Sequence, residues 1–391
     1  MASHHAEYNF DPYLRIRAIC DVDAGRSTLY NNRFGRGEAE VHGDYRGLLH
    51  RADIDAFVIC TPDHWHAKIA VEALRSGKDV YCEKPLTLTV AEGKLIHRAL
   101  SETDRVLQVG TQQRSDPAFQ MAVALARSGR LGRIVRVTAA IGAGPTGGPF
   151  PTTEPPPELD WDRWLGQAPE TPYIAERCHG NFRWWYEYSG GKMTDWGAHH
   201  VDIACWAIEP LRYSSVAIAP VERRFPVPLE NGRPCVADCY NTPTTFRVEC
   251  RFEDGPELVI RDSAPDLGFD NGVLFECEGG RFFVNRGKLT GRPIEELESL
   301  PLPEETLAAL RRGRGVMPHV ANFYWSCRER SSPISSAAEH LVSLNICHVA
   351  NIALRLDRSV DWSPANESLH GDDQVADAML SRTPRDGFEI A

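Results

Sequence analysis

Along the first part of the chain, short apolar β-type runs alternate with stretches whose apolar residues recur every three to four positions, the pattern of a parallel sheet covered by helices. RIRAICDVD is the first such run, IDAFVICTPD at 54–63 the second, KDVYCEKP at 78–85 the third and RVLQVGTQQR at 105–114 the fourth. Between them lie HAKIAVEALRSGK, apolar at Ile69, Ala70, Ala73 and Leu74, and TVAEGKLIHRALSET, for which Thr87 or Thr89 is the predicted cap. This spacing predicts a Rossmann-like, doubly wound parallel sheet over residues 1–115.

Beyond that point the pattern changes. PAFQMAVALARSGRLGRI predicts an amphipathic helix closed by glycine, and the proline- and glycine-rich stretch 142–160 an irregular loop. The runs SSVAIAPVE, TTFRVECRFE, PELVIRDS and GVLFECEGGRFFVNRGK predict a mainly antiparallel sheet, and 337–356 a long late helix. Residues 116–391 are therefore expected to form an α+β domain for substrate binding and oligomerisation, with the polar tail after Trp362 wrapped loosely on the surface. The aromatic run FRWWYEY at 182–188 reads as core more readily than as a platform for a pyranose ring.

Charge narrows the partners. A formal net charge of −11 disfavours nucleic acid and anionic membranes, which need a positive surface, and suits a small-molecule substrate. The eleven cysteines include no CxxC pair, Cys235 with Cys239 is the one close pair, and no metal site is assigned. No run approaches the about 20 apolar residues needed to span a bilayer, and the start lacks the features of a signal peptide, so a cytoplasmic location is expected. The His-His near the start is left out of the functional argument.

Four places carry chemistry. Asp21, with Asp23 as the fallback, ends the first strand, where a carboxylate can bind both ribose hydroxyls of NAD and repel the extra phosphate of NADP. TPDHWH at 61–66 follows the second strand, at the sheet edge where open α/β folds bind ligands; capping or packing is the alternative for His64 and His66. Lys84 follows the third strand between Glu83 and a proline, and an ammonium there can favour the alkoxide of a substrate hydroxyl as hydride leaves. In GGKMTDWGAHHVDIACW, Asp195, His199, Asp202 and Trp206 fall on one helical stripe, while His200 points about 100° away and reads as structural.

Together, CDVD, TPDHWHAKIAVEALRSGKDVYCEKPLTLTVAEGK and GGKMTDWGAHHVDIACW resemble the Gfo/Idh/MocA family of glucose–fructose oxidoreductase and inositol dehydrogenase type, with EKP and DxGxHxxD the most specific parts. GTQQRSDPAFQMAVALARSGRLGRI, HVANFYWSCRERSSPIS and ICHVANIALRL extend the resemblance over most of residues 15–365. It implies an NAD-dependent oxidoreductase acting on a sugar or polyol, assembled as a homodimer or homotetramer, with Lys84, Asp195 and His199 as the catalytic group. Asp21, Thr61, Pro62, His64, His66, Glu83, Lys84 and Gln112 are the residues expected around the cofactor. A glycoside-cleaving or lyase-type relative, working by transient oxidation or a histidine-bound metal, and a cofactor-free sugar-binding protein are the alternatives. One departure counts against NAD: such proteins open with an apolar strand and a GxGxxG-like turn, whereas MASHHAEYNFDPYL contains neither. The sheet is therefore expected to lack its first strand, with dinucleotide binding weakened.

Overall fold

The computed structural model describes residues 14–390. Its first half runs β1 (Ala18–Cys20), α1 (Ala24–Phe34), β2 (Glu40–His42), β3 (Ala56–Ile59), α2 (Asp63–Arg75), β4 (Asp79–Cys82), α3 (Val90–Ser101), β5 (Leu107–Val109) and α4 (Pro117–Arg127). Every strand pair here is parallel, but the strands form two separate pieces, β1–β2 and β3–β4–β5. Among the described residues no strand joins them. The facing edges of β1 and β3 instead line one cavity of ≈ 1760 Å³, with Ile16, Ala18 and Ile19 on one side and Ala56, Phe57, Val58 and Ile59 on the other. Val58, an apolar strand residue, is left 53% exposed there. The sequence reading expected the sheet to lack its first strand; the segment it rests on, residues 1–13, lies outside the described residues.

Local chemistry accounts for the helices. Thr89 is the cap of α3: its Oγ1 accepts from Glu92 N at 3.4 Å while Glu92 Oε2 accepts from Leu88 N at 2.7 Å, so two donors at the helix start are satisfied reciprocally. Asp116 caps α4, accepting from Ala118 N at 2.8 Å ahead of Pro117.

The second half is built on a nine-stranded mixed sheet. It comprises β6 (Ile134–Ile141), β7 (Val216–Arg224), β10 (Thr245–Phe252), β11 (Glu257–Arg261), β12 (Asn271–Cys277), β13 (Gly280–Asn285), β14 (Lys288–Thr290), β15 (Val360–Ser363) and β16 (Ser368–Leu369), in the order β14-β13-β12-β6-β11-β10-β7-β15-β16. A small hairpin, β8 (Leu229–Glu230) with β9 (Arg233–Pro234), lies outside it. Only β6 and β11 pair in parallel. α6 (Gly197–Ile208) and α8 (Ala337–Leu356) pack on this sheet, α5 (Lys192–Asp195) leads into α6, and α7 (His319–Glu329) packs on the first-half sheet, where Phe323 meets Tyr81 of β4. A single apolar core runs from Val80 and Val109 of the first half through Leu341 and Cys347 of α8 to Val248 and Ile260 of the sheet.

Three readings need correction. The stretch ending GRLGRI stops being helical at Arg127, and Ile134 opens β6, a central strand. The stripe 195–206 is not one helix, because the chain breaks at Trp196 between α5 and α6. The tail is not loose: Phe388 packs edge-on against Trp65 at 5.9 Å, Lys68 Nζ donates to Glu389 O at 2.6 Å, and Arg382 donates to His64 O at 2.8 Å and Glu92 Oε1 at 3.0 Å. Backbone carbonyls accept two of these three bonds, so the side-chain pattern of the tail gives little sign of them.

Candidate active site

The carboxyl ends of β1, β3 and β4 open toward the start of α5, and the cavity reaches from Asp21 through Thr61, Pro62, Asp63 and His66 to Lys84 and Arg183. Gly190 and Gly191 deliver α5 to this place. Gly191 has φ +65, which favours glycine, and a Cβ on Gly190 would stand 2.6 Å from the Thr194 side chain and 2.8 Å from Asn351 Nδ2. Gly190 N donates to Thr194 Oγ1 at 3.0 Å, and Asn351 Nδ2 of α8 donates to Gly190 O at 2.9 Å.

Lys84 Nζ donates to Asp195 Oδ1 at 2.6 Å and to Asp195 O at 2.8 Å, which joins the end of β4 to α5. Arg183 Nε reaches the same Oδ1 at 3.2 Å. Burial pushes the Asp195 carboxyl up, but Lys84 and then Arg183 pull it down further, so it stays ionised below the usual carboxylate range. His199 sits on α6, 4% exposed, and its ring makes no hydrogen bond among the described residues; Nδ1 is fully enclosed without a partner. Burial, then the charges of Lys84 and Arg286, holds this imidazole well below its ordinary range, so it is neutral at pH 7.

On the cofactor side, Asp21 lines the cavity, and its Oδ1 accepts from Asp23 N at 3.0 Å. Burial raises this carboxyl against that hydrogen bond. Asp23 is occupied otherwise, capping α1 through Arg26 N at 3.0 Å, which favours Asp21 over the fallback. Thr61 Oγ1 is enclosed at the end of β3 with no partner among the described residues, so a ligand that donates or accepts there would satisfy it. Pro62, His66, Glu83 and Lys84 line the same cavity. Gln112 does not; it donates to Glu83 Oε1 at 3.2 Å. An Asp21 carboxylate at one end and Thr61 with Lys84 at the other fit the ribose and nicotinamide ends of a dinucleotide.

His64 is turned away from the cavity. Fully buried, it meets Trp164 O through Nε2 at 2.9 Å and packs against Trp164 and Tyr188, and burial followed by the Arg382 charge depresses it to about 3. His66 contacts Pro85 O at 2.6 Å through Nδ1 and Thr61 O at 2.9 Å through Nε2, so it braces two site loops. Asp202 is also structural: Arg114 grips it with 2.6 and 2.9 Å bonds and Ser343 Oγ donates at 2.8 Å. His200 bonds Asn271 Oδ1 at 2.9 Å, as a structural residue would.

Two site residues escaped the sequence reading. Asp63, within TPDHWH, is buried and accepts from Ser189 Oγ at 2.5 Å; burial raises its carboxyl, against the opposing charges of His66 and Arg183. Arg183 lies in FRWWYEY, where Phe182, Trp185 and Tyr188 are core and Arg183 alone reaches Asp195. A charged residue inside a dense aromatic run that otherwise reads as core was the available signal. Among the described residues no group of three or more His, Cys, Asp or Glu could hold a metal ion.

Residues 1–111 match the family model described as the NAD-binding Rossmann fold of the Gfo/Idh/MocA oxidoreductases, and residues 148–390 match that family's C-terminal alpha/beta domain. Inositol 2-dehydrogenase 2 of Saccharopolyspora erythraea is 35% identical over 318 residues, 79% of this chain and 72% of that protein. The uncharacterized oxidoreductase YrbE of Bacillus subtilis is 32% identical over 130 residues, which span 33% of this chain and only 38% of that relative. Among solved structures, levoglucosan dehydrogenase in complex with NADH and L-sorbose superposes with a TM-score of 0.60 at 20% identity, covering 89% of each chain. The WlbA dehydrogenase from Chromobactrium violaceum, in complex with NADH and UDP-GlcNAcA, gives 0.64 at 19% identity over 92% of each. At such identities these structures establish the shared fold.

Proposed function

Since the chain belongs to the Gfo/Idh/MocA oxidoreductase family and carries its NAD-binding Rossmann domain, we propose that it oxidises a hydroxyl carbon of a sugar or polyol. The observation that carries this reading is the Lys84 ammonium bound to Asp195 at the mouth of the sheet, beside a neutral His199 with no other hydrogen bond. NAD, when bound, supplies the acceptor for the hydride. Lys84 donates a hydrogen bond to the substrate oxygen and favours its alkoxide character as the C–H bond breaks. His199 takes the hydroxyl proton, leaving a ketone or lactone. Asp195 holds Lys84 in place through its two contacts. Asp21 would bind the ribose of NAD, a preference against NADP, while Thr61, Pro62, His66 and Glu83 line the remainder of that cleft.

We keep the division near residue 115 as the working domain boundary, and a homodimer or homotetramer built on the nine-stranded sheet as the working assembly. No described helix is long and apolar enough to cross a membrane. A Lys84→Met variant tests the assignment. Its rate of NADH formation should fall by about 1,000-fold, the order of effect for a lost electrostatic contact to a reacting oxygen; an unchanged rate would remove the basis of the reading.

A further inference from the structure

One buried ionisable group near His199 has no part in the chemistry derived so far. His340, on α8, is fully buried, and its Nδ1 stands 3.4 Å from Asp202 Oδ1. Asp202 lies three residues after His199 on α6, and residues so spaced share one helix face, with Cβ atoms about 5–6 Å apart. α8 packs along α6 at this point: Ser343, three residues after His340, donates to the same Asp202 oxygen at 2.8 Å. His340 and His199 are therefore neighbours across Asp202, and the charge that His340 can carry acts on His199.

Donor and acceptor roles then follow in turn. Burial pushes the Asp202 carboxyl up, but the Arg114 charge and then the His340 hydrogen bond pull it down further, so it is ionised and can only accept. The His340 proton is accordingly on Nδ1, and its Nε2 is a bare acceptor. That Nε2 is fully enclosed with no partner among the described residues, and so is His199 Nδ1. Two such nitrogens on the packed faces of two helices are the kind of exception that one shared water satisfies. The other groups whose charges act on His199 offer no substitute. Lys84 and Arg286 carry only donors, and His200, next in sequence, points about 100° away and bonds Asn271.

We propose that His340 is a positioning residue for the base: through one water its Nε2 accepts from His199 Nδ1–H, which leaves His199 Nε2 as the bare nitrogen that takes the hydroxyl proton. This rests on the reading of His199 as the base, and adds which of its nitrogens acts and what holds it so. The chain from His199 through His340 ends on the Asp202 carboxylate. An imidazolium formed at His199 is thereby favoured against the nearby charges of Lys84 and Arg286.

The test is nitrogen-15 NMR of the full chain with labelled histidine, free of substrate at pH 7, in which two-bond couplings distinguish the Nδ1–H from the Nε2–H form of each ring. His199→Gln and His340→Gln each delete one ring and so assign the two. Both rings should be in the Nδ1–H form. His340→Asn keeps a donor for Asp202 but places nothing at the Nε2 position. It should move His199 toward the Nε2–H form by about tenfold, the effect of one lost hydrogen bond, while melting like the parent. A purely structural His340 would leave that balance where it was. His199 found in the Nε2–H form in the parent would overturn the proposal, as would a balance unchanged in His340→Asn. Should that variant not fold, the parent decides: both rings in the Nδ1–H form support the proposal, and either ring in the Nε2–H form overturns it. None of these readings needs turnover, so their failure leaves the dehydrogenase reading in place, which fails only in the activity assay. A His199 imidazolium at pH 7 would overturn the proposal together with the base assignment beneath it.

Discussion

Lys84 and Asp195 show most clearly what one residue contributes here. Both are buried, they come from opposite halves of the molecule, and removal of either leaves an enclosed charge facing the other's empty place. Lys84→Met should therefore cost about 3 kcal/mol of stability, by analogy with other broken buried pairs, as well as activity; denaturant unfolding with unchanged stability would mean that the pair is solvated. Histidines give a second prediction. Burial, as the first cause in each case, depresses His64 and His348 to about 3 and His200 to about 4, against an ordinary value near 6.5. In the unfolded chain they bind protons below about pH 6.5, and in the folded chain they do not until pH falls much further. The unfolded state thus gains protons first, so stability falls as pH drops from about 6.5 toward 4, by up to about 1.4 kcal/mol per pH unit for each histidine. Thermal melting followed across that window should show the decline; a flat profile would mean that these rings are not held neutral.

At the scale of elements, what could be read from sequence follows from how each element is stabilised. β3, β4 and β5 with α2, α3 and α4 were legible because each buries a periodic apolar face and several carry a capping signature, such as Thr89 with Glu92. β2 was not, being three residues of half-exposed edge, and neither was β6, whose first residue, Ile134, was read as the end of the preceding helix while the rest was left unassigned. Lys84, Asp195 and His199 were legible as residue types at fixed places in motifs, whereas the Arg183 contact with Asp195 depends on how the irregular stretch between them folds. The tail belongs to the same class of long-range contact. Ending the chain at Ala378 would strip Trp65 of Phe388, Lys68 of Glu389 O and the His64 carbonyl of Arg382. A fall in Tm of roughly 5 °C is expected for a loss of this size, with weaker NAD binding because α2 follows directly on Thr61 and Pro62. A truncated chain that melts and binds like the parent would show that the strap is decorative.

For the whole molecule, the gap between β1 and β3 is the dominant feature. Among the described residues no strand pairs with the facing edges of β1 and β3, which line one cavity with Val58 exposed within it. An apolar strand fused ahead of residue 1, followed by a glycine-rich turn and joined to β1 through a helical crossover, should fill that space and present backbone amides between Asp21 and Thr61. The expected result is a Tm higher by about 5 °C or more and NAD binding tighter by about tenfold, measured by scanning and titration calorimetry. Unchanged values would mean that the space is not a strand site.

The account as a whole depends on net hydride transfer from a sugar or polyol carbon. Incubation with NAD and a panel of sugars and polyols, including D-glucose and myo-inositol, with NADH followed by absorbance and the products by mass spectrometry, tests this directly. NADH should accumulate in step with a ketone or lactone and vanish with Lys84→Met. Substrate consumed with a bond cleaved and no net NADH would contradict it, and would assign the same residues to a transient redox cycle instead.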